Sequence, residues 1–195
     1  MNEPKRIGLF GGTFDPIHLG HLHLATAARN ALNLDQVRFI PCQISPHKSG
    51  RTISSAQDRI DMLEAATRHL PWAVIDDQEI LRDGPSYSYL TADAVASQFT
   101  DAKLHWILGG DQWKALPTWK NIDHLAKTVA FIVLARDGEI PEPRENIIYQ
   151  IVPGDHPASA TAIRESFAEG AINHPWLPPG VAPIILEREL YQKPI

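Results

Sequence analysis

Short, nearly continuous apolar runs alternate along this chain with longer stretches whose apolar residues recur at helical spacing. Lys5–Phe10 reads as a buried strand that runs into a Gly11–Gly12 turn. Leu19, Leu22, Leu24, Ala27, Ala28 and Ala31 predict a helix to about Leu32. Val37–Pro41 is a second strand, stopped by its proline, and residues 42–54, with Pro46, Gly50 and several serines, form a loop. Ser54 or Ser55 caps a helix to about His69, with Ile60, Met62, Leu63 and Ala66 on its apolar face. Trp72–Ile75 is a third strand, and Asp83-Gly-Pro85 breaks the chain. Ser88–Phe99 reads as a helix that buries Tyr89, Ala92, Val95, Ala96 and Phe99. Leu104–Leu108 and Val129–Leu134 are the fourth and fifth strands, residues 136–146 a polar loop, and Ile147–Val152 a sixth strand. Helices follow over 160–168 and 181–191.

Strands that alternate with helices, and are apolar on both faces, belong to a parallel sheet covered on both sides. The expected fold is therefore α/β: a Rossmann-like, doubly wound parallel sheet of five to six strands, in one domain over residues 1–195. In such sheets ligands bind beyond the carboxyl ends of the strands. Gly11–Gly12, Gly109–Asp111 and Ala135–Arg136 all fall at that edge.

Composition narrows the picture. Hydrophobic residues make up 44% of the chain and charged residues 21%, a globular balance. A formal net charge of −5 supplies no general attraction to nucleic acid or to an anionic membrane, so neither is expected as a partner. Cys42 is the only cysteine, which excludes an internal disulfide and a cysteine zinc site. His23, His69, His105, His124, His156 and His174 show no metal-ligand spacing and read as structural or surface residues; no protein-bound metal is expected. Without an apolar span or a signal-peptide core, the expected location is cytoplasmic.

The densest chemistry is Gly11-Gly-Thr-Phe-Asp-Pro-Ile-His-Leu-Gly-His21. The glycines let a phosphate approach the backbone, and a helix N-terminus follows. His18 and His21 lie three apart, on one helix face. Gly20 falls in the first turn, where a missing side chain leaves room for a ligand. No G-x-G-x-x-G and no Walker lysine is present, so neither a dinucleotide fingerprint nor a P-loop applies. Ser159-Ala-Thr-Ala-Ile-Arg164 is a second phosphate element: hydroxyls at a helix start and an Arg about one turn in.

The opening segment resembles the nucleotidyltransferase signature G-x-F-D-P-x-H-x-G-H. Ser45-Pro-His-Lys48, Asp58-Arg59, Gly84-Pro-Ser-Tyr-Ser88, Gly109-Gly-Asp111, Leu116-Pro-Thr-Trp119 and Ser159–Arg164 then recur in the order found in bacterial nicotinate-nucleotide adenylyltransferases. The resemblance spans about residues 5–191. It implies a fold of nucleotidyltransferase type and adenylyl transfer from ATP to nicotinate mononucleotide, giving deamido-NAD and pyrophosphate, with Mg²⁺ delivered by ATP. It further implies that Gly11, Gly12, Thr13, His18, His21, Gly109, Arg136, Ser159, Thr161 and Arg164 bind ATP. Asp15, His47, Lys48, Tyr87, Ser88, Asp111, Trp119 and Lys120 would bind the mononucleotide. Of these, Thr13, His18, His21, Lys48 and Arg164 would act on the reacting phosphates. The chain departs from the pattern at Lys48, often Arg; at Ser88, often Thr; at Lys120, often aromatic; and at Ala160, often a second Ser.

Two alternatives stand beside this one. An adenylyltransferase of the same fold could use nicotinamide mononucleotide or another phosphate-bearing acceptor. A non-catalytic nucleotide-binding module would keep the glycine turn but have no need of both histidines, Lys48 and Arg164.

Overall fold

The computed structural model describes residues 4–43, 54–135 and 141–192. Six strands form one parallel sheet: β1 (Arg6–Gly12), β2 (Gln36–Pro41), β3 (Ala73–Ile75), β4 (Lys103–Gly109), β5 (Ala130–Ala135) and β6 (Tyr149–Pro153). Their order is β3-β2-β1-β4-β5-β6, the doubly wound arrangement expected from the alternation. The helices are α1 (Leu19–Leu32), α2 (Ala56–Thr67), α3 (Gln78–Leu81), α4 (Ser88–Gln98), α5 (Gly110–Ala115), α6 (Ile122–Thr128), α7 (Ala160–Ala168) and α8 (Val181–Glu187). A short 3₁₀ turn covers Leu116–Thr118.

Each face of the sheet has its own core. Ala25 and Ala28 of α1, Met62 and Leu63 of α2, Ile163 and Phe167 of α7 and Val181 and Ile185 of α8 pack together on one side. Ala92 and Val95 of α4, Trp113 of α5 and Leu125 of α6 pack on the other. The chain changes sides between β1 and β4. Pairing between these two strands runs from Arg6↔Lys103 to Leu9↔Trp106, although β1 continues to Gly12 and β4 to Gly109. Beyond Trp106, β4 follows β5 as far as Gly109↔Leu134, while β1 follows β2 as far as Gly12↔Pro41. The two central strands thus part over their last residues and open a crevice at the switch point.

Local chemistry explains most element ends. Ser55 Oγ accepts from the Asp58 N–H at 3.1 Å and Asp58 Oδ2 accepts from the Ser55 N–H at 3.0 Å, a closed capping box that starts α2. Asn33, at φ 49°, ends α1 in the left-handed conformation that asparagine tolerates. Two expectations need correction. The glycines are the last residues of β1, so the turn lies at 13–18. The final helix stops at Glu187 instead of 191, because Glu189 and Tyr191 take φ of 52° and 66° and turn the chain back into the molecule.

Candidate active site

Residues 13–18 link the carboxyl end of β1 to α1. Phe14 sits at φ 52° and is buried; its ring lies where a Cβ on Gly12 would stand, within 2.8 Å of Cζ. That contact requires glycine at position 12. The peptide between Asp15 and Pro16 is cis. Buried Arg59 holds the loop from below, donating Nη1 to the carbonyls of Thr13 (3.0 Å) and Cys42 (2.8 Å). This one side chain ties the ends of β1 and β2 together.

His18 is the N-cap of α1 and His21 lies in its first turn. Their rings stack at 3.7 Å between centroids, inclined by 25°. His21 Nδ1 accepts from the His18 N–H at 3.3 Å, so a neutral His21 carries its proton on Nε2. Phe14 packs edge-on against His21 at 5.1 Å, fixing the ring plane. Burial, aided by the neighbouring His156, pushes the His18 pKa down to about 4. His18 is therefore a neutral donor at pH 7, and positive charge at the site has to come from elsewhere. Its Nδ1 is buried with no hydrogen-bond partner among the described residues.

Gly20 corrects an expectation. A Cβ there would meet the His18 ring at 3.0 Å and the Ala158 Cβ at 3.3 Å. The absent side chain makes room for the imidazole and for the segment leading into α7, not for a ligand. Gly109 behaves in the opposite way: among the described residues nothing lies within 4 Å of its added Cβ, which points to the mouth of the crevice.

The second phosphate element reaches the first. Ser159 caps α7, its Oγ accepting from the Ala162 N–H at 3.4 Å. Arg164 donates Nη1 to the Asp15 carbonyl at 2.7 Å and Nη2 to Thr161 Oγ1 at 3.1 Å. Both acceptors are neutral, so they orient the guanidinium without cancelling its charge. The paired imidazoles and this guanidinium consequently belong to one cradle. The Asp15 carboxylate, by contrast, is turned inward. Its Oδ1 accepts from Tyr191 Oη at 2.7 Å and its Oδ2 from the Ser54 N–H at 3.3 Å.

On the other side of the crevice, Trp119 is buried edge-on against Trp106 of β4, with centroids 6.0 Å apart. Lys120 Nζ lies 4.8 Å from the Tyr87 ring centroid, a cation–π contact. Tyr87 is the N-cap of α4 and Ser88 its first residue. Asp111 is exposed in the first turn of α5. Ser86 supports the turn before α4: its hydroxyl accepts from the Gln43 N–H at 2.9 Å and hydrogen-bonds Glu79. Glu79 also accepts from Thr91 at 2.6 Å; burial pushes its carboxyl up, against the pull of these hydrogen bonds. His47, Lys48 and Arg136 lie outside the described residues.

Arg59, Ser54, Tyr191 and His156 complete the surroundings of the cradle, and none of them was expected from sequence among the binding or catalytic residues. Arg59 had a legible signal, since it shares a helix face with Met62 and Leu63 and so points into the core. Tyr191 had none, being 176 residues from its partner.

At the parted end of the parallel sheet, the loop after β1 leads into a helix N-terminus with two imidazoles and receives an oriented guanidinium from α7. Cytidylyltransferase-like proteins match residues 9–166 as a family. A Bacillus cereus (strain B4264) relative, "Probable nicotinate-nucleotide adenylyltransferase", is 39% identical over 188 residues, 96% of this chain and 99% of its own. A Bacillus mycoides (strain KBAB4) relative of the same name is 37% identical over the same span. This chain belongs to the nicotinate-nucleotide adenylyltransferase family. The fold is also that of Plasmodium falciparum nicotinic acid mononucleotide adenylyltransferase, solved in complex with APC (TM-score 0.75, 16% identity, 96% of this chain and 97% of the other). The same enzyme complexed with NaAD superposes with a TM-score of 0.76 at 17% identity, again over 96% and 97% of the two chains. Among the described residues, no helix is long and apolar enough to cross a membrane.

Proposed function

We propose that this protein transfers the adenylyl group of ATP to nicotinate mononucleotide, releasing pyrophosphate and forming deamido-NAD. The observation that carries this reading is the single cradle of His18, His21 and Arg164 at the crevice between β1 and β4. Family membership supplies the substrate pair. A cytoplasmic setting accompanies the reading.

The attacking group is the 5′-phosphate of the mononucleotide, whose second pKa is roughly 6, so it is already an anion at neutral pH. One of its oxygens forms a bond to the α-phosphorus as the α–β bridging bond breaks, and pyrophosphate leaves with that electron pair. No general base is needed; the obstacle is bringing two anions into line. Positioning can supply about 7–11 kcal/mol of the barrier reduction. A well-aimed donor adds about 2.7–4 kcal/mol. His21 Nε2–H and the neutral His18 imidazole donate to phosphate oxygens, with Thr13 and the loop amides beside them. Arg164, with Ser159 and Thr161 at the start of α7, neutralises the leaving pyrophosphate. Gly109 keeps the crevice open, Gly11 and Gly12 carry the β1 backbone to the phosphates with their side-chain space taken by Trp106 and Phe14, and Lys48 and Arg136 are assigned to the phosphates by family likeness. Trp119 offers a face to the pyridine ring, and the backbone amides near Ser88 and Lys120 its carboxylate; Tyr87, Asp111 and His47 border the same pocket.

Among the described residues no group of three or more His, Cys, Asp or Glu is placed to hold a metal, and the Asp15 carboxylate is engaged by Tyr191 and Ser54. In this reading Mg²⁺ enters with ATP, as part of the substrate, held by phosphates and water.

The test is pyrophosphate release from ATP with nicotinate mononucleotide, nicotinamide mononucleotide and phosphopantetheine in parallel. Fastest turnover with the first is expected. Turnover confined to another acceptor would replace the substrate, and ATP binding without release from any would leave a binding module. Chiral α-thio-ATP is expected to react with inversion, whereas retention would require a covalent nucleotidyl intermediate.

A further inference from the structure

We propose that Tyr191, in the turn after α8, is a positioning residue for this reaction: its hydroxyl fixes Asp15 and, through Asp15, the guanidinium of Arg164. The contacts form a continuous chain. Ser54 Oγ donates to Tyr191 Oη at 3.1 Å, Tyr191 Oη donates to Asp15 Oδ1 at 2.7 Å, and the Asp15 carbonyl receives Arg164 Nη1 at 2.7 Å. Asp15 lies between the glycines of β1 and the paired imidazoles, so the same residue bears on both halves of the phosphate cradle.

Tyr191 is held for this contact, not merely packed. It is 8% exposed, and its backbone lies at φ 66°, a conformation that aromatic residues rarely adopt without surrounding constraint. The preceding turn is closed by the Leu190 N–H on the Ile185 carbonyl at 2.9 Å. Arg188 clasps α2 through Asp58 and Asp61, which anchors the turn to the helix that carries Arg59. Burial, and then the charge of Asp15, push the phenol above its ordinary range, so the hydroxyl remains a donor under all assay conditions. A buried carboxylate deprived of this donor shifts toward other partners, and the carbonyl on the same residue shifts with it.

This inference rests on the proposed function, and the experiment separates the two. Tyr191→Phe keeps the ring and removes only the hydroxyl. Expected is a fall in kcat of about tenfold, with KM for nicotinate mononucleotide changed less than about twofold, because misplacing a group by a fraction of an ångström acts on the reacting geometry. Thermal unfolding, measured alongside, is expected to stay well above the assay temperature. In a double variant with Arg164→Lys, the loss should not exceed that of Arg164→Lys alone, since both act on one group. Wild-type kcat in Tyr191→Phe, or losses that multiply in the double variant, would overturn the proposal. Should Tyr191→Phe fail to fold, Ser54→Ala, which removes the hydroxyl behind it, decides: a smaller loss of kcat supports the proposal and an unchanged kcat overturns it. If the unaltered protein turns over none of the acceptors, the functional reading fails first. ATP affinity by calorimetry then carries the test, with at least threefold weaker binding in Tyr191→Phe expected and equal binding overturning the proposal.

Discussion

Arg164 donates a 2.7 Å hydrogen bond to the main-chain carbonyl of Asp15, across 149 residues of sequence. This contact joins the two segments proposed to bind phosphate, one after β1 and one at the start of α7. A backbone acceptor fixes direction without neutralising the cation, which suits a group that must meet a developing pyrophosphate.

Arg164→Lys keeps the charge and loses the forked geometry. The expected effect is a fall in kcat/KM for ATP of about a hundredfold, with little change in thermal stability, because the side chain lies at the crevice and not in either core. Steady-state pyrophosphate release and a melting curve check both halves.

Among the described residues nothing crowds a side chain at position 109, so Gly109→Val should fold with stability within about 0.5 kcal/mol of the original. Its side chain would project into the crevice and weaken ATP binding at least tenfold, as measured by calorimetry. Unimpaired binding would place the nucleotide elsewhere.

His18 should titrate near pH 4 by NMR, well below the ordinary 6.5. In that interval the unfolded chain binds the proton and the folded one does not, so stability falls as pH drops from about 6.5 to about 4. The full span is worth about 3 kcal/mol at 1.36 kcal/mol per unit. His18→Gln should flatten this part of the stability profile and also lower turnover strongly. A midpoint near 6.5 would leave about a quarter of His18 protonated at pH 7 and let it share in neutralising the phosphates, which would change its assigned role.

Arg59→Met preserves length and apolar packing but leaves the Thr13 and Cys42 carbonyls without this donor. Each buried group so deprived costs about 1–3 kcal/mol, so a loss of about 3 kcal/mol is expected in denaturant unfolding. Activity measured well below the midpoint should fall as well, because the β1 loop loses its anchor.

Asp58 gives a second pH signature. Burial pushes its carboxyl up, but the hydrogen bonds from Ser55 and Arg188 outweigh that and hold it below the usual range. Its contribution is present above the ordinary carboxyl pKa and is lost as pH falls through the lowered one. Asp58→Asn should therefore destabilise α2 at pH 7 and converge with the original protein in strong acid, followed by circular dichroism.

The sheet was legible because its strands are continuous apolar runs, and Val129–Leu134 or Val37–Pro41 admits little else. The short helices α3, α5 and α6, of 4, 6 and 7 residues, escaped because fewer than two turns leave no periodicity to read. The cradle was legible in its residue types, since two histidines, a glycine turn and a capped arginine are unusual together. Its geometry was not. The spacing of His18 and His21 does not reveal that burial keeps the first imidazole neutral, and Gly20 looks like ligand space until the His18 ring is seen beside it. The apolar residues of the C-terminal segment suggest helix to 191. Long-range hydrogen bonding at Asp15 overrides that local preference.

The hydroxyl that steadies Asp15 comes from residue 191, whereas the last strand ends at Pro153. During synthesis on a ribosome, the whole sheet has therefore been made before the loop after β1 can receive this support. A nascent chain arrested short of Tyr191 would own the side chains proposed to bind phosphate and yet lack the clasp proposed to align them.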